Sequence, residues 1–124
     1  MTDSKLLDSS VWLEYLLNGK FKDLIESDKS LMVSSLSLFE IKKKLIMNRK
    51  DKQKIAESIA YIKEGAIIVN VTPSIAEQAV DISITHKIAA VDAIIYTSAL
   101  QNDSFLLTCD NDFRGLPHVE IVSG

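Results

Sequence analysis

Five carboxylates in this chain interrupt or end apolar runs: Asp8, Glu40, Asp92, Asp110 and Asp112. Asp8 closes Lys5-Leu6-Leu7-Asp8, and Asp110 and Asp112 follow Phe105-Leu106-Leu107-Thr108-Cys109. Asp92 sits in Ala89-Ala90-Val91-Asp92-Ala93-Ile94-Ile95, the most apolar surroundings of any acid in the chain. At helical spacing Glu40 shares an azimuth with Leu36, Met47 and Lys43, two of them apolar. An ionised carboxylate in apolar surroundings is costly unless it is paired, capped or bound to a metal. Several together repel one another and raise their pKa values unless a cation sits among them. Oxygen-only ligands select hard ions, Mg²⁺ or Mn²⁺, over zinc. Such ions activate water and neutralise the charge that develops when a phosphodiester is cleaved.

Taken singly, each acid also has an ordinary structural role. Asp8 could cap the helix after it. Glu40 could complete a capping box with Ser37, or pair with Lys43 and Lys44 one turn on. Asp92 suits the positive end of a helix. Asp110-Asn111-Asp112 is a common turn sequence. Thr108 could orient the Asp110 carboxylate or a water, or be a strand residue and nothing more. Arg114 is free to steer phosphate or to pair with the acids. What the ordinary roles leave unexplained is that the acids recur at strand ends and at starts of apolar helices.

The elements that would carry them can be read in order. Residues 4–8 form a short apolar strand, and Ser9 or Ser10 can cap a helix through Val11 to Leu17. Asn18-Gly19 ends that helix, since both tolerate the left-handed conformation. Phe21 to Ile25 adds a helical turn, and Leu31 to Val33 a second strand. Leu36 to Asn48 is helical, with a core stripe at Leu38, Ile41 and Leu45. A further helix carries Ile55, Ile59 and Ile62 on one face and closes at Gly65. Residues 66–71 are a β-branched third strand. Thr72-Pro73 starts a helix, and Ser74 with Glu77 offers a capping box at nearly the same place. Ile75, Ala79, Ile82 and Ile88 should face inward there, and Val91 to Leu100 should be a buried helix. Phe105 to Thr108 and Val119 to Val122 complete five strands. Alternation of strands and helices predicts a parallel sheet between helical layers, with right-handed crossovers. In such sheets ligands bind beyond the carboxyl ends of the strands, where Asp8 and Asp110 stand.

Bulk properties narrow the class. With 124 residues, 47% hydrophobic and 25% charged, the chain suits a single domain over residues 1–124 with a real core. No apolar run is long enough to cross a bilayer, and no leader of secretory type is visible. One cysteine, Cys109, excludes an internal disulfide and fits a reducing cytosol. His86 and His118 are isolated, which argues against a structural zinc. The net charge of −3 is unpromising for a nucleic-acid binder, but its distribution matters more. Of 14 basic residues, seven fall in one stretch: Lys42, Lys43, Lys44, Arg49, Lys50, Lys52 and Lys54. Alone that stretch is a solvated helix face; beside a nuclease site it would track phosphates.

Four pieces in order resemble the PIN domain, in the small form of the VapC-type toxins of toxin–antitoxin pairs. They are residues 6–16 (Leu6-Leu7-Asp8-Ser9-Ser10 onward), 34–41 around Glu40, 90–95 around Asp92, and 107–113 around Asp110. The resemblance implies a three-layer α/β/α sandwich whose five-stranded parallel sheet has the order 3-2-1-4-5, the opening strand central. It implies that Asp8, Glu40, Asp92 and Asp110 form the acidic site, with Asp112 as an accessory acid. It further implies Mg²⁺- or Mn²⁺-dependent endoribonuclease activity, homodimerisation and inhibition by a cognate antitoxin protein. Cys109 departs from the pattern, standing where many members carry a basic residue, which weakens phosphate contact there and leaves the acids intact. On this reading Ser9, Ser10 and Thr108 orient water or ligands from behind the acids, and Arg114, Lys43, Lys44 and Arg49 contact the RNA backbone.

Other classes fit less well. A receiver-type phosphoryl acceptor needs an acid after the third strand and a late lysine. Here that strand ends Asn70-Val71-Thr72, and no lysine follows Lys87. An aspartate-nucleophile phosphatase wants Asp-x-Asp where this chain has Asp8-Ser9-Ser10. An inert PIN-like module that only binds RNA or protein is the remaining alternative, against which the full acid set speaks.

Overall fold

Leu6 and Leu7 are neighbours in sequence but belong to different cores. In a strand successive side chains leave on opposite faces, so a strand with two apolar neighbours must be covered on both sides. That strand, β1 (Lys5–Leu7), lies at the centre of a fully parallel sheet of order β3-β2-β1-β4-β5, as expected. The other strands are β2 (Leu31–Ser34), β3 (Ile67–Val69), β4 (Phe105–Thr108) and β5 (Val119–Ile121). The computed structural model describes residues 4–27 and 30–123; the ends of the expected domain, residues 1–3 and 124, lie outside them.

Helices fill the crossovers: α1 (Ser9–Asn18), α2 (Lys22–Ser27), α3 (Ser35–Met47), α4 (Lys52–Gly65), α5 (Pro73–His86) and α6 (Ala90–Gln101). On one face Leu7, Val33 and Leu107 meet Val11 and Trp12 of α1, Ile41 of α3 and Ile62 of α4. On the other, Leu6 and Leu106 meet Ile75 of α5 and Ile95, Tyr96 and Ala99 of α6. The result is the α/β/α sandwich that the alternation predicts. Among the described residues no helix is long and apolar enough to cross a membrane.

Local signals decide the boundaries. Gly19 takes φ 69° at the end of α1 and donates its N–H to the Tyr15 carbonyl at 3.0 Å, a left-handed cap that a side chain with a Cβ resists. Three expected caps are corrected. Asp8, not Ser9 or Ser10, occupies the N-cap position of α1, and its side chain makes no capping bond. Ser34 caps α3 by accepting from the Leu36 N–H at 3.1 Å, so Ser37 lies inside the helix and the Ser37–Glu40 capping box does not form. Thr72 caps α5 by accepting from the Ile75 N–H at 3.2 Å, in place of the Ser74–Glu77 box. In each case the strand sets where the helix begins, and the local motif is overruled. In α6, Ala93 and Ile95 to Ala99 are buried as expected, whereas Val91 at its start is 40% exposed.

Candidate functional site

Parallel strands aim their carboxyl ends at one edge, and α1, α3 and the turn after β4 begin just beyond them. Asp8 follows β1 directly. Its N–H donates to the Leu107 carbonyl at 2.9 Å, which continues the ladder in which Leu7 pairs with Leu107. The next residues on the two strands, Asp8 and Thr108, are therefore neighbours. Thr108 Oγ1 donates to Asp8 Oδ2 at 2.8 Å, and Ser10 Oγ donates to the same oxygen at 2.9 Å. Thr108 Oγ1 accepts from the Asp110 N–H at 3.0 Å, and Ser10 Oγ accepts from the Cys109 N–H at 3.0 Å. Asp8 is buried, at 7% exposure, yet its charge has these two hydroxyl donors.

Beyond β4 the chain makes a short 3₁₀ turn over Asn111–Phe113. Asp110 Oδ1 caps it by accepting from the Asp112 N–H at 2.9 Å. Turn formation and carboxylate clustering coincide here, because the turn brings Asp112 beside Asp110. Asp92 approaches from the first turn of α6. Each of Asp92, Asp110 and Asp112 offers a carboxylate oxygen, and these oxygens all lie within 4.8 Å of one another.

Burial pushes the Asp92 carboxyl up to about 6, and Asp110, Asp8, Asp112 and Glu40 add repulsion in that order. Asp92 thus lies in the field of all four other acids. Glu40 on α3 is also raised, chiefly by burial and further by Asp8, against the hydrogen bond from Ser9. Ser9 therefore serves Glu40, whereas Ser10 serves Asp8. The structure thus divides the expected set. Asp92, Asp110 and Asp112 are gathered within metal-ligating distance of one another, and Asp8 and Glu40 stand within their field but outside that close group.

The four basic residues expected to contact RNA are all exposed. Arg114 donates to Asn111 Oδ1 at 2.6 Å, across the 3₁₀ turn, rather than to the acids. Lys43 and Lys44 are exposed on α3 one turn beyond Glu40. Arg49 is exposed in the turn after that helix, with φ 60°. Because α3 starts at the carboxyl edge and runs back along the sheet, at 1.5 Å per residue, Arg49 lies on the order of 13 Å farther along than Glu40. Two features escape a sequence reading: the Cys109 and Asp110 amides that organise Ser10 and Thr108, and the separate pairing of Ser9 with Glu40. Both join positions remote in sequence, and no local spacing signals them.

A close group of carboxylates, oxygen donors only, the pKa of one of them raised chiefly by burial and further by its neighbours' charge, suits a hard divalent cation. No curated protein sequence matches the chain significantly. Among solved structures, a chain of a toxin–antitoxin complex from Klebsiella pneumoniae is 25% identical, with TM-score 0.77 over 94% of this chain and 96% of that one. The sarcin–ricin-loop-cleaving toxin VapC20 of Mycobacterium tuberculosis shares the fold at 21% identity and TM-score 0.71, over 95% and 98% of the two chains. So does VapBC2 of Rickettsia felis, solved with a fragment of its promoter DNA, at 13% identity and TM-score 0.75, over 95% and 96%. The sequence profile of the PIN domain matches residues 5–119, and with the sheet order and the acidic edge already described, the chain belongs to the PIN-domain family.

Proposed function

We propose that this chain is a cytoplasmic Mg²⁺- or Mn²⁺-dependent endoribonuclease, a single PIN domain acting as the toxin of a toxin–antitoxin pair and working as a homodimer. The observation that carries the reading is the convergence of Asp92, Asp110 and Asp112, in the field of Asp8 and Glu40, at the sheet's carboxyl edge. Membership of the PIN family and likeness to structures of toxin–antitoxin proteins support it. Asp92, Asp110 and Asp112, with Asp8 and Glu40, would hold the cation directly or through water. When bound, it supplies an activated water and neutralises charge on the phosphate and the departing oxygen. The chain's own part is to keep five acids aimed at one edge. Backbone contact to RNA falls to Lys43, Lys44, Arg49 and Arg114, all exposed.

A groove between α3 and α4 supports a protein partner. Ile46, Ile55 and Ile59 give it an apolar floor, and Lys42, Lys50 and Lys63 stand at it. Ile46 is 56% exposed, an apolar side chain that a partner would cover. Apolar floor and basic rim suit an acidic amphipathic segment of an antitoxin.

The test is to incubate the purified chain with cellular RNA and Mn²⁺ and to sequence the RNA ends. Ends made by the wild type and absent with Asp8→Asn and Asp92→Asn, both folded, are expected. Equal cleavage by either variant refutes the assigned site. A wild type that neither cuts RNA nor gains stability with millimolar Mn²⁺ points instead to an inert binding module.

A further inference from the structure

We infer that Ser10 and Thr108 are positioning residues that make Asp8 a one-oxygen ligand and tie it to the loop carrying Asp110; this rests on the metal-site reading above. Four hydrogen bonds fix the direction of both hydroxyls. A hydroxyl has one proton to give and lone pairs to receive. Thr108 Oγ1 receives the Asp110 N–H and Ser10 Oγ receives the Cys109 N–H, each at 3.0 Å. Backbone N–H groups can only donate, so neither hydroxyl can reverse its sense. Each then has a single proton, and both protons go to Asp8 Oδ2, at 2.8 and 2.9 Å. The contact of 3.4 Å between the two hydroxyl oxygens therefore carries neither proton.

Two consequences follow. Both donors fall on Oδ2, which leaves Oδ1 as the oxygen of Asp8 that a cation would draw on. The carboxylate plane is also fixed from two sides, by a strand residue and a helix residue whose positions differ by 98 in sequence. Further, the two amides that set the hydroxyls belong to Cys109 and Asp110, at the start of the turn that gathers Asp110 and Asp112. Ser10 and Thr108 thus hold Asp8 and the close acid group in one register.

The proposal is tested with Mn²⁺ alone, titrated calorimetrically into the full chain without RNA. Thr108→Val keeps the shape and removes the hydroxyl, whereas Thr108→Ser keeps the hydroxyl and removes a methyl. A positioning role predicts Mn²⁺ affinity weakened about tenfold or more in Thr108→Val and near wild type in Thr108→Ser. A packing role predicts the reverse. Ser10→Ala, at a half-buried site in the first turn of α1, should fold even where Thr108→Val does not, and should also bind Mn²⁺ about tenfold more weakly. If the wild type binds Mn²⁺ and Ser10→Ala binds it as tightly, the positioning role is overturned and the metal site stands. If the wild type takes up no Mn²⁺, the metal site and the positioning role fall together.

Discussion

Asp92 stands in the first turn of a helix, where its charge should be welcome, yet burial and four acids raise its pKa to about 6 from 3.8. A helix N-terminus contributes up to about 1 kcal/mol at most exposed sites, which the other effects outweigh. With the folded pKa above the unfolded one, the folded chain binds more protons between about pH 4 and 6. Stability therefore falls as pH rises through that window, and the ionised carboxylate opposes folding at neutral pH. The span from 3.8 to about 6 corresponds to about 3 kcal/mol, which partial exposure reduces to roughly 1–2 kcal/mol. Without metal, Asp92→Asn should be more stable than wild type by ~1–2 kcal/mol in urea at pH 7.5, and equal to it near pH 4. A less stable variant at pH 7.5 would contradict the electrostatic account. Millimolar Mn²⁺ should reverse the order, since it stabilises only the chain that keeps its ligand. Asp92 was legible in the sequence because its surroundings are so apolar. The division of labour between Ser9 and Ser10 was not, because adjacent serines at a helix start offer the same local chemistry.

At the scale of elements, strand ends and helix types were legible and helix starts were less so. Ser34, Ser35 and Ser37 all stand near the start of α3, and a capping motif cannot choose among them. The sheet chooses: Ser34 pairs with Val69 at the end of β2, so the helix must begin at the next residue. Thr72 wins over Ser74 because Pro73 fits the first helical position, which leaves Thr72 as the cap. Thr72→Ala should cost about 1 kcal/mol by denaturant titration. Mn²⁺ affinity should be unchanged, because none of the five acids lies on α5. A change in affinity would mean that α5 reaches the site. The α3–α4 groove is not legible in the sequence, where Lys42, Lys50 and Lys52 belong to a basic stretch that reads as a solvated face or a phosphate track, and Lys63 stands apart from it. Side by side on two helices, Lys42 and Lys63 line an apolar trough instead. Rim charges act mainly on association rate. Lys42→Glu with Lys63→Glu should slow association of an acidic antitoxin about tenfold and flatten its salt dependence, with little change in dissociation. Stopped-flow mixing at two ionic strengths reads this directly, and unaltered association would remove the groove from the interface.

For the molecule as a whole, sheet order and layers were legible because both faces of β1 must be covered and the family resemblance names the order. How closely the five acids converge was not. Strand ends share an edge by topology, but the gathering of Asp92, Asp110 and Asp112 depends on the turn after β4 and on the placing of α6. The architecture separates what holds the chain folded from what acts at its edge, across a single residue boundary in β1. Leu6 is fully buried in the α5–α6 core, and Asp8 lies just beyond the strand. Leu6→Ala leaves a cavity and should cost ~2–5 kcal/mol, lowering the melting temperature by roughly 10 °C or more. The acids stay assembled in the folded fraction, so the rise in melting temperature with Mn²⁺ should persist. Asp8→Asn keeps an oxygen for the Ser10 and Thr108 protons, so the metal-free melting temperature should barely move. The rise with Mn²⁺ should then shrink or vanish, because the one negative charge that this strand carries to the edge is gone. Differential scanning calorimetry with and without Mn²⁺ reads both variants in one experiment. Loss of the Mn²⁺ response in Leu6→Ala, or its full survival in Asp8→Asn, would mean that core and site are not divided at the end of β1.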